Sequence, residues 1–241
     1  MLIPVLLYSP NTTAPSGDID VSFFENLKIQ GYVGASGRGK ITGKASGVPS
    51  KFETVLHWHN DKSQYWTKAD GNGTYSSPAM KPGTYTMKLY KQELLVATSS
   101  VTVTAGQTTS KDIASAEASP SIIWRIGDFD GQPLELKNGD KILRMHPSDS
   151  RMAAWGGTYT VGTSIAKDFP IAVWAKIASS TPTIKFKLTA QQTGTAKLRV
   201  GTTLSFKGGR PSVQVNSWTG KEAAAPVRVS LSQITHHVFV W

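Results

Sequence analysis

"VLHWHNDKSQYWTKADGNGTY", residues 55–75, decides how the chain is read. Val55, His57 and His59 alternate with Leu56 and Trp58, and alternation at period two is the mark of a β-strand with unlike faces. Leu56 and Trp58 are the better core residues, which turns the two imidazoles the other way. Asn60-Asp61 then breaks the run, Gln64–Thr67 starts a second short strand, and Asp70-Gly71-Asn72-Gly73 breaks that one. Strand, turn, strand, turn within twenty-odd residues is the grammar of an all-β fold.

Working outward, the same pattern recurs. Lys40–Ala45, Phe52–Trp58, Gly73–Ser76, Tyr85–Tyr90 and Val96–Val103 read as further short strands. Lys81-Pro82-Gly83-Thr84 is a turn in which Pro presets φ and Gly accepts a positive one. Residues 28–113 thus fit a small β-sandwich of about seven strands. Ala114–Pro120, "ASAEASP", has the small, polar, Pro-terminated composition of a linker. A second β series follows at Ile122–Ile126, Ile142–Met145, Thr158–Val161, Ile171–Ile177, Thr183–Thr189, Ala196–Val200 and Ser212–Ser217, for which a two-sheet jelly roll is the natural architecture. Helical periodicity is nearly confined to Ile19–Leu27, after the cap-like Asp18.

The totals agree. The chain has 241 residues, 39% hydrophobic and 17% charged, with 22 Gly and 13 Pro, a globular profile rich in turns. It has no cysteine, which excludes disulfides, thiolate metal sites and cysteine nucleophiles. No apolar run approaches the roughly 20 residues of a membrane-spanning helix. The opening MLIPVLLYS is apolar but lacks a basic n-region. The net charge of +10 is uneven: residues 27–113 hold 11 basic and 5 acidic residues, and residues 119–241 hold 15 and 7. That balance suits a polyanionic partner, although the lysines are scattered rather than clustered, as they also are on strands that merely stay soluble.

Three groups of residues invite a chemical reading. His57 and His59, with Asp61 beyond, have the H-x-H spacing of some metal sites. A metal would want further ligands, and no Glu appears before Glu93, so the pair reads as packing on a scaffold strand. "LRMHPSDSRMAAWG", 143–156, gathers His146, Asp149 and Arg151 with Ser148 and Ser150. It has no G-x-S-x-G elbow, and its polar side chains are expected to tie their own loop, with ligand contact as the alternative. Trp66, Trp155 and Trp218 sit beside turns, where an exposed indole can stack on the apolar face of a sugar ring. The candidate carbohydrate contacts are therefore Trp66, Trp155, Arg151, His146 and Arg210. Gly37-Arg38-Gly39-Lys40 and Gly208-Gly209-Arg210 match no phosphate loop, and the basic–aromatic pattern of nucleic-acid modules is missing. Asn11 and Asn72 begin N-glycosylation sequons.

"PNTTAPSGDIDVSF", "ASGRGKITGKASG", "HWHNDKSQYWTKADGNGTYSSPAMKPGTYTM", "IGDFDGQP", "RMHPSDSRM" and "TLSFKGGRPSVQVNSWTG" occur in that order from about residue 10 to about residue 226. In these motifs the chain resembles the C-terminal two-thirds of fungal rhamnogalacturonan endolyases of polysaccharide lyase family 4. The resemblance implies a fibronectin type III-like sandwich at 28–113, the linker at 114–120 and a carbohydrate-binding-module-like jelly roll at 121–241, preceded at 1–27 by the remnant of another module. It further implies β-elimination in the rhamnogalacturonan I backbone of pectin, which needs a base for the proton alpha to the uronate carboxylate and positive charge for the anion formed. In the family those roles belong to a lysine and a histidine of a first module without counterpart here, so no position inherits them. The ending "SQITHHVFVW" departs from the pattern, and the resemblance implies an incomplete last domain. The expectation is an extracellular, secreted, monomeric accessory protein with no catalytic residue, metal or cofactor of its own, whose partner is an acidic pectic polysaccharide rather than nucleic acid or membrane. A stand-alone carbohydrate-binding protein is the alternative.

Overall fold

The computed structural model describes residues 23–118, 121–174, 181–205, 208–223 and 235–240. Its strands dominate: beyond the short helix α1 (Phe23–Asn26) and brief 3-10 turns, regular structure is β throughout. The N-terminal half of the expected helix at Ile19–Leu27 lies outside the described residues.

The first domain is built from β1 (Lys40–Ser46), β2 (Thr54–His59), β3 (Gln64–Lys68), β4 (Thr74–Ser76), β5 (Gly83–Lys91), β6 (Leu94–Val103), β7 (Thr108–Ser110) and β8 (Ile113–Ala114). One sheet runs β3-β2-β5-β6, all antiparallel; the other runs β4-β1-β7, with β8 also paired to β1. Each strand turns alternate residues inward, and the inward set closes the core between the sheets. Leu56, Trp58, Met87 and Leu89 from one sheet and Ile41 from the other are fully buried. Tyr75 and Tyr85 join them through polar tips: Tyr85 Oη donates to the Lys81 carbonyl at 2.8 Å, and Tyr75 Oη donates to that of Lys111. Burial, and secondarily Asp112, push the Tyr75 phenol up to about 12.

The turns work through named side chains. Asn60 Oδ1 accepts the N–H groups of Lys62 and Ser63 at 2.9 and 3.0 Å, closing the β2–β3 hairpin. Asp70 Oδ1 does the same for Asn72 and Thr74. Gly43 serves close packing: a Cβ there would lie 2.1 Å from the Lys111 carbonyl oxygen. β6 carries an extra residue, with the register slipping between Leu89 and Tyr90, so its buried positions change parity from Leu94 and Val96 to Val101 and Val103.

The expected linker is partly strapped to this sandwich. Ala114 ends β8, Ser115 N–H donates to Ser46 O, Ala116 N–H donates to Val96 O, and Glu117 pairs with the nearly buried Lys91 at 2.6 Å.

The second half holds β9 (Gly157–Thr160), β10 (Pro182–Lys185), β11 (Lys197–Thr202), β12 (Gln214–Val215), β13 (Trp218–Thr219) and β14 (Thr235–Val240). Among the described residues these form three two-stranded sheets: β9 parallel to β10, β11 antiparallel to β14, and the β12–β13 hairpin. Two expected strands are not formed, and Ile171–Ile177 is irregular as far as Trp174, its remainder lying outside the described residues. Ile142–Met145 is wound into turns, its amides reaching back to Asn138 and Lys141, with Leu143 87% exposed. Ile122–Ile126 is irregular and exposes Ile122 and Ile123. Both runs are short and largely apolar, a pattern that does not by itself distinguish a strand from other structure. The halves meet at the tip of the β5–β6 hairpin, where the amides of Glu93 and Leu94 both donate to the Asp130 carbonyl (2.8 and 2.9 Å). Gln132 Nε2 donates to Glu93 Oε1, Lys51 pairs with Asp128 at 2.7 Å, and Arg199 stacks over Phe129. Burial raises the Asp130 carboxyl, and the neighbouring charges of Glu135 and Asp128 add to it.

Candidate carbohydrate-binding face

The outward residues of β2 are those that the core does not claim. Leu56 and Trp58 are fully buried, as their alternation requires, and His57 and His59 stand on the opposite face. The two imidazoles stack, 5.3 Å between centroids and 19° between planes. Antiparallel pairing then sets their neighbours. Trp66 on β3 and Lys88 on β5 lie directly across from His57, while Gln64 and Thr86 flank His59. Adjacent strands are only about 4.8 Å apart, so these side chains are within mutual reach.

Trp66 is 61% exposed, its indole outside the core. Beside it, His57, His59, Asn60, Lys62, Ser63, Gln64 and Lys88 line an open depression of about 470 Å³. The lining holds two lysines, two imidazoles and three neutral polar groups, and no carboxylate. Partial burial lowers the His57 pKa, the charge of His59 and then of Lys88 adding to it, while a hydrogen bond with Gln64 opposes them. His59 Nε2 is buried and has no hydrogen-bond partner among the described residues, an arrangement that costs roughly 1–3 kcal/mol. The packing expected of this strand describes Leu56 and Trp58; the imidazoles instead border open space. Among the described residues, no group of three His, Asp or Glu stands close enough together to hold a metal ion.

The other candidates fall elsewhere. Trp155 is 7% exposed, donates its indole N–H to the Pro147 carbonyl at 2.8 Å and meets Trp174 edge-on, so its ring is engaged in packing and has no open face. Arg151 grips Asp149 through Nε and Nη2 at 2.9 and 2.8 Å, and its own amide donates to Asp149 Oδ1. That guanidinium holds the Asp149 carboxyl well below the usual carboxylate range. His146 Nδ1 is 2.7 Å from Ser148 Oγ, so this imidazole nitrogen is also engaged within two residues. Arg210 pairs with Glu222 at 2.9 Å. Arg38 binds the carbonyls of Val33 and Ala79 rather than opening towards an anion. Asn72 sits exposed in the β3–β4 turn, and Asn11 lies outside the described residues. Lys88 went unnoticed in the sequence; aligning the outward residues of β5 against those of β2 would have found it.

Comparison with known proteins follows the same division of the chain. Residues 37–111 match a fibronectin-type family described as polysaccharide lyase family 4, domain II. Residues 122–240 match a carbohydrate-binding-module-like family described as polysaccharide lyase family 4, domain III. The chain belongs to polysaccharide lyase family 4. Within this lyase family it is 52% identical over 237 residues to rhamnogalacturonate lyase A of Aspergillus aculeatus, a match covering 98% of this chain and 45% of that protein. It is 50% identical to rhamnogalacturonate lyase A of Emericella nidulans, covering 98% and 45%. It is 53% identical to a probable rhamnogalacturonate lyase A of Aspergillus clavatus, covering 93% and 43%. The chain thus spans somewhat under half the length of these family 4 relatives. A cohesin–X-dockerin complex from Acetivibrio cellulolyticus is similar at a TM-score of 0.22 and 16% identity, over 32% of this chain and 53% of that one, too slight a likeness to carry an argument.

Proposed function

We propose that this chain is an accessory part of a rhamnogalacturonan endolyase: two β domains that hold or position a catalytic module on the acidic backbone of rhamnogalacturonan I and do not cleave it themselves. The observation that carries the reading is the pair of matches to domains II and III of a polysaccharide lyase family, together spanning most of the chain. A net charge of +10 fits a galacturonate-containing polymer. An exposed Asn72 sequon fits an extracellular, secreted glycoprotein; on this reading it acts as a monomer on pectin, and neither nucleic acid nor membrane is its partner.

The exposed indole of Trp66 favours a second reading, a stand-alone carbohydrate-binding protein. One pair of experiments tests both. The purified chain is incubated with rhamnogalacturonan polymer while ultraviolet absorbance from unsaturated uronide product is followed, and its migration through a gel containing the polymer is compared with a polymer-free gel. Retardation without absorbance growth is expected. Growth of absorbance from this chain alone refutes the accessory role, and unretarded migration refutes polymer binding.

A further inference from the structure

Several features stand outside the proposal above. The apolar side chains of Leu143, Ile165, Val173 and Leu204 are exposed singly on the second half, with nothing to say what covers them. The Asp149–Arg151 pair satisfies itself. The outer face of the β3-β2-β5-β6 sheet is different, because an aromatic ring, a depression and unneutralised basic groups converge there.

The geometry points to a binding site for a carboxylate-bearing sugar on this face, with Trp66 as the stacking platform and His57, His59 and Lys88 cradling the carboxylate. This rests on the polysaccharide-binding part of the reading above and supplies what that reading lacks, a location and the residues that would meet the sugar's carboxylate.

Three observations carry it. First, the indole of Trp66 is exposed on a strand whose other side is packed, so the protein presents a flat apolar ring at a fixed position. A pyranose has one face made of C–H groups, and such faces pair with aromatic rings. Second, the register puts Lys88 and His57 beside that ring on successive strands, with Lys62 and His59 completing the border of the depression. Asp61 belongs to the same loop but does not line the depression, and Glu53, just before β2, is already paired with Lys68 at 2.5 Å. A carboxylate entering here meets two lysine ammonium groups and imidazole N–H donors, with no competing acid in the lining. Third, Asn60, Ser63 and Gln64 add neutral donors and acceptors of the kind that hold ring hydroxyls. A simple inorganic anion satisfies the cations but leaves Trp66 unused; a neutral sugar does the reverse. An acidic sugar uses both.

The test uses the full chain and two probes: an oligosaccharide of rhamnogalacturonan I, and the same oligosaccharide with its carboxyl groups reduced to primary alcohols. Binding is followed by NMR of the imidazole and indole resonances. The acidic probe is expected to move the resonances of His57, His59 and Trp66 in a saturable way, and the reduced probe to bind at least ten-fold more weakly. Trp66→Ala and, separately, Lys88→Gln are each expected to weaken acidic-probe binding at least ten-fold, while Arg151→Ala and Arg210→Ala leave it unchanged. All four positions are at the surface, and a thermal melt of each variant confirms the fold. If the polymer retards the wild-type chain and the Trp66→Ala and Lys88→Gln variants equally, this site is refuted and polymer binding stands. If both probes bind equally, carboxylate recognition is refuted. If neither the polymer nor the probes bind, both proposals fall together.

Discussion

Replacing Trp58 and Trp66 by alanine, one at a time, sets two identical chemical changes on opposite faces of one sheet. Trp58 is fully buried in the core, and truncating such a side chain costs about 3–5 kcal/mol through lost transfer energy and the cavity left behind. Trp66 is 61% exposed. A buried aromatic typically hides 150–250 Å², so Trp66 conceals roughly 60–100 Å², worth about 1.5–2.5 kcal/mol at 25 cal/mol/Å². The unfolded chain already hides roughly 10–40% of that area, which brings the expected cost to about 1–2 kcal/mol. Urea unfolding at constant slope reads the difference. At about 1–3 kcal/mol/M the Trp58 variant shifts the midpoint roughly two to three times as far as the Trp66 variant. Equal shifts, or a Trp58 variant as stable as the parent, would refute the assignment of faces and with it the platform.

Three further outcomes are expected. The folded-state pKa of His57 lies below its unfolded value, so between the two the unfolded chain binds more protons and stability is lost as pH falls through about 6.5; melting curves from pH 8 to 5 should show a shallower decline in His57→Gln. Gly43→Ala forces a Cβ to within 2.1 Å of the Lys111 carbonyl oxygen and should cost about 2–3 kcal/mol by chemical denaturation, whereas Gly71→Ala, with nothing within 4 Å, should be nearly neutral. Asp130 has a raised pKa through burial, so its ionised form opposes folding once pH exceeds the ordinary carboxylate range; Asp130→Asn keeps an acceptor for the Gln132 amide and should leave the melting temperature at pH 7 unchanged or higher.

How legible all this was in the sequence differs between the two halves. In the first, every expected strand from Lys40 to Val103 forms to within two residues, because each is half-buried and alternates, β6 on either side of its bulge. Thr108–Ser110 and Ile113–Ala114 were missed: they are too short to show a period, and they hold their places by pairing with β1. In the second half Thr158–Val161 and Ala196–Val200 correspond to β9 and β11, yet Ile142–Met145 and Ile122–Ile126 do not extend. There the backbone is organised by single side chains such as Asn138, whose amide binds both the carbonyl and the amide of Ala153, and periodicity carries no trace of that. The site was half legible. Trp66 stood out as an indole next to a turn, whereas its company depends on strand register, which no local pattern contains.

The β5–β6 hairpin has a role that its hydrogen bonds suggest only indirectly. Lys88 lies part-way along it, and its tip, at Glu93 and Leu94, is fastened to the Asp130 backbone. The intervening residues span on the order of 15 Å of continuously paired ribbon. Such a ribbon resists bending, so it behaves as a strut: tension from a polymer chain gripped near Lys88 passes straight to the seam between the halves instead of being absorbed by a slack tether. A ligand held at the proposed site would therefore load the Asp130 seam directly, and cutting the Glu93 and Leu94 bonds would release that load into the hairpin tip.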